Sequence, residues 1–320
     1  MVTKQLLINT FFILTLFFIG CSDSNRATQP ENITPDVVYT PGEIISDGQG
    51  FVSYRVGNTP IIITVPHDGV LSPAEFADRT GETTRSINTR KLAEQFAYAF
   101  YMKSNGLYPH IIYNNLSRLK LDPSVDQTNG AQGNSYANLS YRTYHNFVQT
   151  AIDTVGAYYD SGILINLIEH NHSNQRIELG YLISSEELNL SNNELNGKAN
   201  ESSIQQLASI ASINFSELIR GPSSLGNNII ARSFTSNDVT YQFDAIPTVD
   251  SPNPGQTSYN SGGYMISSYG SHNGGKINAI ELSTPYSGFR DNANAYRALA
   301  NILEESITSF YESNSGIEIY

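Results

Sequence analysis

Three strand-like apolar runs each arrive at a residue able to hold a metal ion or move a proton. PIIITVPHDG reaches His67, GILINLIEHNH reaches His170 and His172, and KINAIELSTPY ends its apolar part at Glu281. In open α/β sheets ligands sit outside the carboxyl ends of the strands, so three such ends lying together build one polar, metal-competent site.

The stretches between these runs change period. Ile61 to Val65 is nearly all β-branched, as a strand buried on both faces should be. Leu92, Phe96 and Phe100 then recur at helical spacing, with Asn88 or Thr89 placed as N-cap and Gly106 as C-cap, so a helix is expected over Asn88 to Asn105. His110 to Tyr113 reads as the next strand, joined by a right-handed crossover. A second unit follows, with Tyr144, Phe147, Val148, Ile152 and Val155 on one helical face before Gly162 and the strand Ile163 to Ile168. Ile204 to Ile219 and Asn292 to Tyr311 read as further amphipathic helices. The alternation predicts an α/β fold: a single domain with an open, mixed, mostly parallel sheet and helices on both faces. Two polar, Asn/Gly/Ser-rich segments, Ser117 to Ser140 and Pro247 to Gly263, read as long loops; the second is a candidate lid.

The formal charge of -12, with only 18 Lys and Arg scattered along 320 residues, excludes a phosphate-binding face, so no nucleic-acid partner is expected. Lys4 precedes an apolar stretch from Leu6 to Ile19 that suits a signal h-region better than a membrane span. Phe18-Ile19-Gly20-Cys21 resembles a bacterial lipobox. The organisation expected is a lipoprotein signal peptide at 1–20, a flexible tether at 21–40 and a hydrolase domain at 41–320. The alternative for the leader is an uncleaved anchor helix. Either way the body is held to a membrane, and as an exported lipoprotein it belongs to the cell envelope. Cys21 is the only cysteine, so the body depends on core packing rather than disulfides.

Hydrolysis at a zinc ion needs three protein ligands of the His and Asp/Glu type, an open position for water, and a carboxylate to take the water's proton. His67 and His170 offer imidazoles from different strands, and Glu281 offers a late carboxylate. Such wide spacing arises when a sheet builds the site, and no HExxH helix is present. Arg118 either steadies an oxyanion or braces a loop; Arg118 and Arg176 both suit a bidentate clamp on a substrate carboxylate. Asp68 either ligates a metal or shapes the turn at Gly69, and Asp122 either orients an imidazole or forms an Asx-turn before Pro123. Glu178 reads as a cap or a partner of Arg176.

Several of these segments are similar to the N-formylglutamate amidohydrolase family. Val65-Pro66-His67-Asp68-Gly69 resembles its opening Pro-His motif, and Ser117-Arg118-Leu119-Lys120-Leu121-Asp122 its Ser-Arg-x-x-x-Asp segment. Glu169 to His172 with Arg176 to Tyr181 resembles its strand-end histidine cluster. Gly262-Gly263-Tyr264, Tyr269-Gly270 and Ile277 to Leu282 resemble its C-terminal block. The resemblance spans about Pro60 to Phe310. It implies a zinc-exopeptidase-like fold, shared with the N-acetylmuramoyl-L-alanine amidases, and zinc on His67, His170 and an acidic ligand, with Glu281 as base. Ser86 stands where the family carries that acidic ligand, which leaves Glu82 or His172 to complete the set. Pro123-Ser124-Val125 replaces the family's Asn-Arg pair. The activity implied is cleavage of the amide of a small N-acyl amino acid. The alternatives are an amidase acting on a cell-wall fragment and a non-catalytic glycan-binding lipoprotein, which the 20 tyrosines would suit.

Overall fold

The computed structural model describes residues 39–320, so the leader and nearly all of the tether lie outside the described residues. No helix among the described residues is long and apolar enough to cross a membrane.

The strands, in chain order, are β1 (Ile44–Ser46), β2 (Val52–Arg55), β3 (Ile61–Val65), β4 (His110–Asn114), β5 (Gly162–Glu169), β6 (Ile177–Gly180), the hairpin β7 (Phe234–Ser236) and β8 (Val239–Tyr241), β9 (Ala245–Ile246) and β10 (Ile277–Thr284). The helices are α1 (Thr89–Lys103), α2 (Gln127–Ala131), α3 (Ser135–Tyr158), α4 (Ser185–Leu188), α5 (Asn192–Asn196), α6 (Gln205–Ile210), α7 (Phe215–Arg220), α8 (Leu225–Ile230), α9 (Tyr264–Tyr269) and α10 (Ala293–Ser315). Eight strands form one mixed sheet in the order β1-β2-β4-β3-β5-β10-β6-β9. Its centre, β4-β3-β5-β10, is parallel, while β2 and β6 run antiparallel to their inner neighbours.

The connections explain where a site can form. β3 leads through α1 to β4 on one side, and β4 leads through α3 to β5 on the other side of β3. The strand order reverses between β3 and β5, which opens a crevice at their carboxyl ends. His67 follows β3 by two residues and His170 follows β5 directly.

Helices cover both faces. One face packs Ile61, Ile63, Val65, Ile163, Ile165 and Leu282 under α1, α10 and the short helices α6 to α8. The other packs Ile62, Ile112, Leu164 and Ala279 under α3 and α9. Helix α1 forms where Leu92, Phe96 and Phe100 predict it, and all three are buried.

Three local expectations change. The single helix foreseen from Ile204 to Ile219 is split into α6 and α7, because the backbone turns extended at Ala211 and is extended again at Asn214 before the second helix begins. The loop foreseen at Ser117 to Ser140 contains α2 and the first turns of α3, where the Asn134 side chain accepts from the Ala137 N–H and caps the helix. Glu281 does not end its strand. β10 runs on to Thr284 because Leu282 and its small neighbours continue the buried ladder.

The pairing of β2 with β4 also carries a pH dependence. Nδ1 of the buried His110 accepts from the Tyr54 hydroxyl at 2.6 Å and from the Gly57 N–H at 3.1 Å. Burial pushes the His110 pKa down to about 4. The folded value lies below the ordinary 6.5, so the neutral ring stabilises the fold fully above 6.5 and this contribution is lost as the pH falls toward 4. The expected loss is about 3 kcal/mol over that window. Melting temperatures measured from pH 7 to pH 4 should therefore fall less steeply for His110→Gln than for the wild type; identical slopes would remove His110 as the cause.

Candidate active site

The face under α3 changes from apolar to polar along the strands. Ile62, Leu164 and Ala279 belong to the core, and two residues further on stand Thr64, Asn166 and Glu281. These three are aligned across adjacent strands: Thr64 opposite Asn166, and Asn166 opposite Glu281. The Thr64 hydroxyl donates to Asn166 Oδ1 at 2.8 Å, and the Gly263 N–H donates to Glu281 Oε2 at 3.1 Å. Gly263 permits this approach, since a Cβ there would stand 3.2 Å from the same oxygen.

Glu281 is 6% exposed. Burial raises its pKa to about 7, with the Glu178 charge adding to the effect and the Asn166 amide and Gly263 N–H opposing it. A carboxyl poised there exchanges protons near neutrality, which an exposed glutamate does not.

The imidazoles lie at the carboxyl edge. His67 Nε2 sits 2.8 Å from Asp122 Oδ1, and Asp122 Oδ2 accepts from Arg118 Nε at 2.9 Å. Burial works against the Asp122 charge, but His67 and Arg118 outweigh it and hold the carboxyl well below the usual range. Asp122 also accepts from the Ser124 N–H at 2.9 Å, so it both orients the imidazole and shapes the turn. His67 Nδ1 is buried with no partner.

His170 donates from Nε2 to the Arg176 carbonyl at 2.8 Å, which leaves Nδ1 as its unprotonated nitrogen, facing the His172 N–H at 3.2 Å. Burial lowers the His170 pKa, opposed by that carbonyl and by Glu178. Its ring stacks on His172 with centroids 4.8 Å apart. His172 Nδ1 lies 3.1 Å from both oxygens of the fully buried Glu178. Donor atoms of His170, His172 and Glu178 fall within 4.8 Å of one another, the one such group of three among the described residues.

The remaining residues singled out in the sequence are placed as follows. Glu82 lies on an exposed loop, accepts from the Thr84 N–H at 2.6 Å and stands 3.7 Å from Arg118. His67 stands outside the group formed by His170, His172 and Glu178. Arg118 braces Asp122, and Arg176 donates to Thr257 Oγ1 at 2.9 Å while standing 3.7 Å from Glu178. Asp68 pairs with Arg85 at 2.7 Å and accepts from the Arg90 N–H in the first turn of α1. The Pro247 to Gly263 segment meets the polar row at its C-terminal end, beside Glu281. It is fastened by the Asn260 N–H to Glu178 at 2.8 Å, by Asn260 Nδ2 to Ser283 at 2.9 Å and by Gly263 to Glu281.

These side chains suit a metal ion of the zinc type. His67 and His170 each have Nε2 held by an acceptor, Asp122 or the Arg176 carbonyl; His67 Nδ1 has no partner, while His170 Nδ1 accepts from the His172 N–H. Acceptors behind ligating histidines fix their tautomer in this way. Nitrogen donors with one carboxylate form a set that zinc accepts.

Glu178 and Asn166 carry more of the site than their local sequence suggests. Both interrupt apolar runs, Ile177-Glu178-Leu179 and Leu164-Ile165-Asn166-Leu167, and a lone polar residue inside a buried strand is the signal that marks them.

No protein-family model and no curated protein matches the sequence. Among solved structures, N-formylglutamate amidohydrolase from Ralstonia eutropha JMP134 is similar with a TM-score of 0.51 at 10% identity, over 83% of this chain and 99% of that one. A gene product from Agrobacterium tumefaciens is similar with a TM-score of 0.46 at 10% identity, over 84% of this chain and 96% of that one, too loosely to bear on the fold. At such identity a likeness speaks for architecture alone, and in architecture this chain shares the α/β fold of the Ralstonia N-formylglutamate amidohydrolase.

Proposed function

We propose that the protein is a zinc-dependent hydrolase that cleaves the amide bond of an N-acylated amino acid. The observation that carries this reading is Glu281, a buried carboxyl with its pKa raised to about 7, set in one polar row beside a crevice edged by paired imidazoles. The architecture shared with an N-formylglutamate amidohydrolase supports it.

Bound zinc supplies Lewis-acid polarisation of the acyl oxygen and makes water a better acid. His170, His172 and Glu178, whose donor atoms lie within 4.8 Å of one another, would hold the ion. Glu281 takes a proton from the attacking water and returns it to the leaving nitrogen, so the amine departs neutral. The Gly263 N–H and the Asn166 amide hold the carboxylate in place for both transfers. Asp122 keeps His67 in the tautomer that leaves Nδ1 free, and Arg118 keeps Asp122 ionised. Delivery of the body to the cell envelope on a lipid anchor at Cys21 is part of the same proposal and rests on the leader sequence.

Metal analysis tests the centre directly. The purified protein is expected to carry about one zinc per chain, as one three-ligand catalytic site requires. A chelator should abolish amide hydrolysis, and added zinc should restore it. His170→Ala and His172→Ala should each lose most of the metal while remaining folded; full metal content in both variants would dismiss the assignment.

A further inference from the structure

Next to the polar row lies an aromatic cluster that the proton-transfer chemistry does not use. His145 on α3 is surrounded by Tyr141, Tyr144, Tyr264 and Tyr269, with ring centroids 4.3 Å, 5.6 Å, 6.1 Å and 5.9 Å away. The cluster joins both arms of the site. Pro123, the residue after Asp122, accepts from His145 Nε2 at 3.1 Å, and Tyr264 follows Gly263, whose N–H holds Glu281.

Three of the ring edges are already committed, those of His145, Tyr141 and Tyr269. The Tyr269 hydroxyl donates to His145 Nδ1 at 2.6 Å, and the Tyr141 hydroxyl donates to the Val125 carbonyl at 2.8 Å. His145 is therefore fixed in one neutral tautomer, and burial holds it so by pushing its pKa down to about 4. With the edges of His145, Tyr141 and Tyr269 tied and Tyr144 fully buried, these rings form an uncharged backing, and Tyr264 is the member left open, at 38% exposure. A preordered aromatic surface binds a ligand without first losing side-chain freedom.

We propose that Tyr264, backed by His145, is a stacking platform for a sugar ring on the substrate, next to the bond that Glu281 serves. This deepens the hydrolase reading and rests on it for the word substrate. An uncharged platform offers nothing to a second carboxylate. A sugar presents an apolar C–H face to a tyrosine and hydroxyls to its surroundings. The segment that leads into Tyr264, Ser258-Tyr259-Asn260-Ser261-Gly262-Gly263, brings the short hydroxyl side chains of Ser258 and Ser261 that match such hydroxyls. An aryl group would call for an enclosed apolar slot instead.

The test is a calorimetric titration of the full-length protein with the N-acetylglucosamine trisaccharide, with N-benzoylglycine and N-formylglutamate run in parallel. The trisaccharide should bind best. Tyr264→Ala should weaken it about tenfold or more, and Tyr264→Phe should retain it, since the ring face does the binding. Ligand-induced shifts of tyrosine ring signals in the wild type place the contact without any substitution and should single out Tyr264. Unchanged sugar affinity in Tyr264→Ala, or tighter binding of the benzoyl compound, would overturn the platform. Hydrolysis assays keep the two claims apart. Sugar binding without turnover of any amide retains the platform and rejects the hydrolase. Turnover of N-formylglutamate with no sugar binding rejects the platform and retains the hydrolase.

Discussion

Replacing Glu281 by Gln is expected to lower kcat for amide hydrolysis by about 10²–10⁴-fold, the usual contribution of a positioned general base. KM and metal content should change little, because the amide keeps the size of the side chain and Glu281 lies outside the group of close donor atoms. The pH profile carries the sign. A base works ionised, and this one has its pKa raised to about 7, so the rate should fall about tenfold per unit as the pH drops below that value. This acid limb should vanish in Glu281→Gln. Asn166 opposes the upward shift, so Asn166→Leu should move the limb to higher pH. A Glu281→Gln enzyme with wild-type kcat would end the proposed mechanism.

The largest expected loss of stability lies at Arg290. It is the largest fully buried side chain and joins three elements at the carboxyl edge. Its guanidinium contacts Glu169 at the end of β5 at 2.8 Å, Thr284 Oγ1 at the end of β10 at 2.8 Å, and the Ile87 carbonyl just before α1. Arg290→Met would leave Glu169, the buried Thr284 hydroxyl and the Ile87 carbonyl without their partner, at a cost of about 3–5 kcal/mol. That is a large part of the stability of an ordinary domain. Denaturant unfolding should show it as a lower midpoint at unchanged slope. Arg290→Met with Glu169→Gln should recover part of the loss, because the stranded charge is then gone. A single variant within about 1 kcal/mol of the wild type would show that Arg290 is not the brace its contacts describe.

Arg290 also shows what local pattern could not supply. Nothing around residue 290 indicates that its side chain ends between β5, β10 and α1, since these partners are remote along the chain. Leu92, Phe96 and Phe100, by contrast, announce α1 through their spacing, and Ile61 to Val65 announces β3 through its composition. Period is a local property and survives in the sequence. The failures were local as well. At Ser117 to Ser140 the first turns of α3 bury Ala137, Ser140 and Tyr141, residues too mixed in polarity to stand out as an apolar stripe. At Ile204 to Ile219 the apolar spacing runs across a break where the backbone is extended at Ala211 and Asn214.

The sequence by itself determined the α/β alternation and the emergence of His67 and His170 where buried strands end, because an apolar run must stop near the first group that needs water or a ligand. Only the tertiary structure decided what those residues meet. β6 pairs antiparallel with β10, placing Glu178 opposite Ser283 at the edge where His170 and His172 emerge. Register sets Glu281 beside Asn166 in mid-strand, and burial between layers moves its proton affinity. Strand pairing and desolvation depend on elements more than a hundred residues apart, and no local window of the chain contains them.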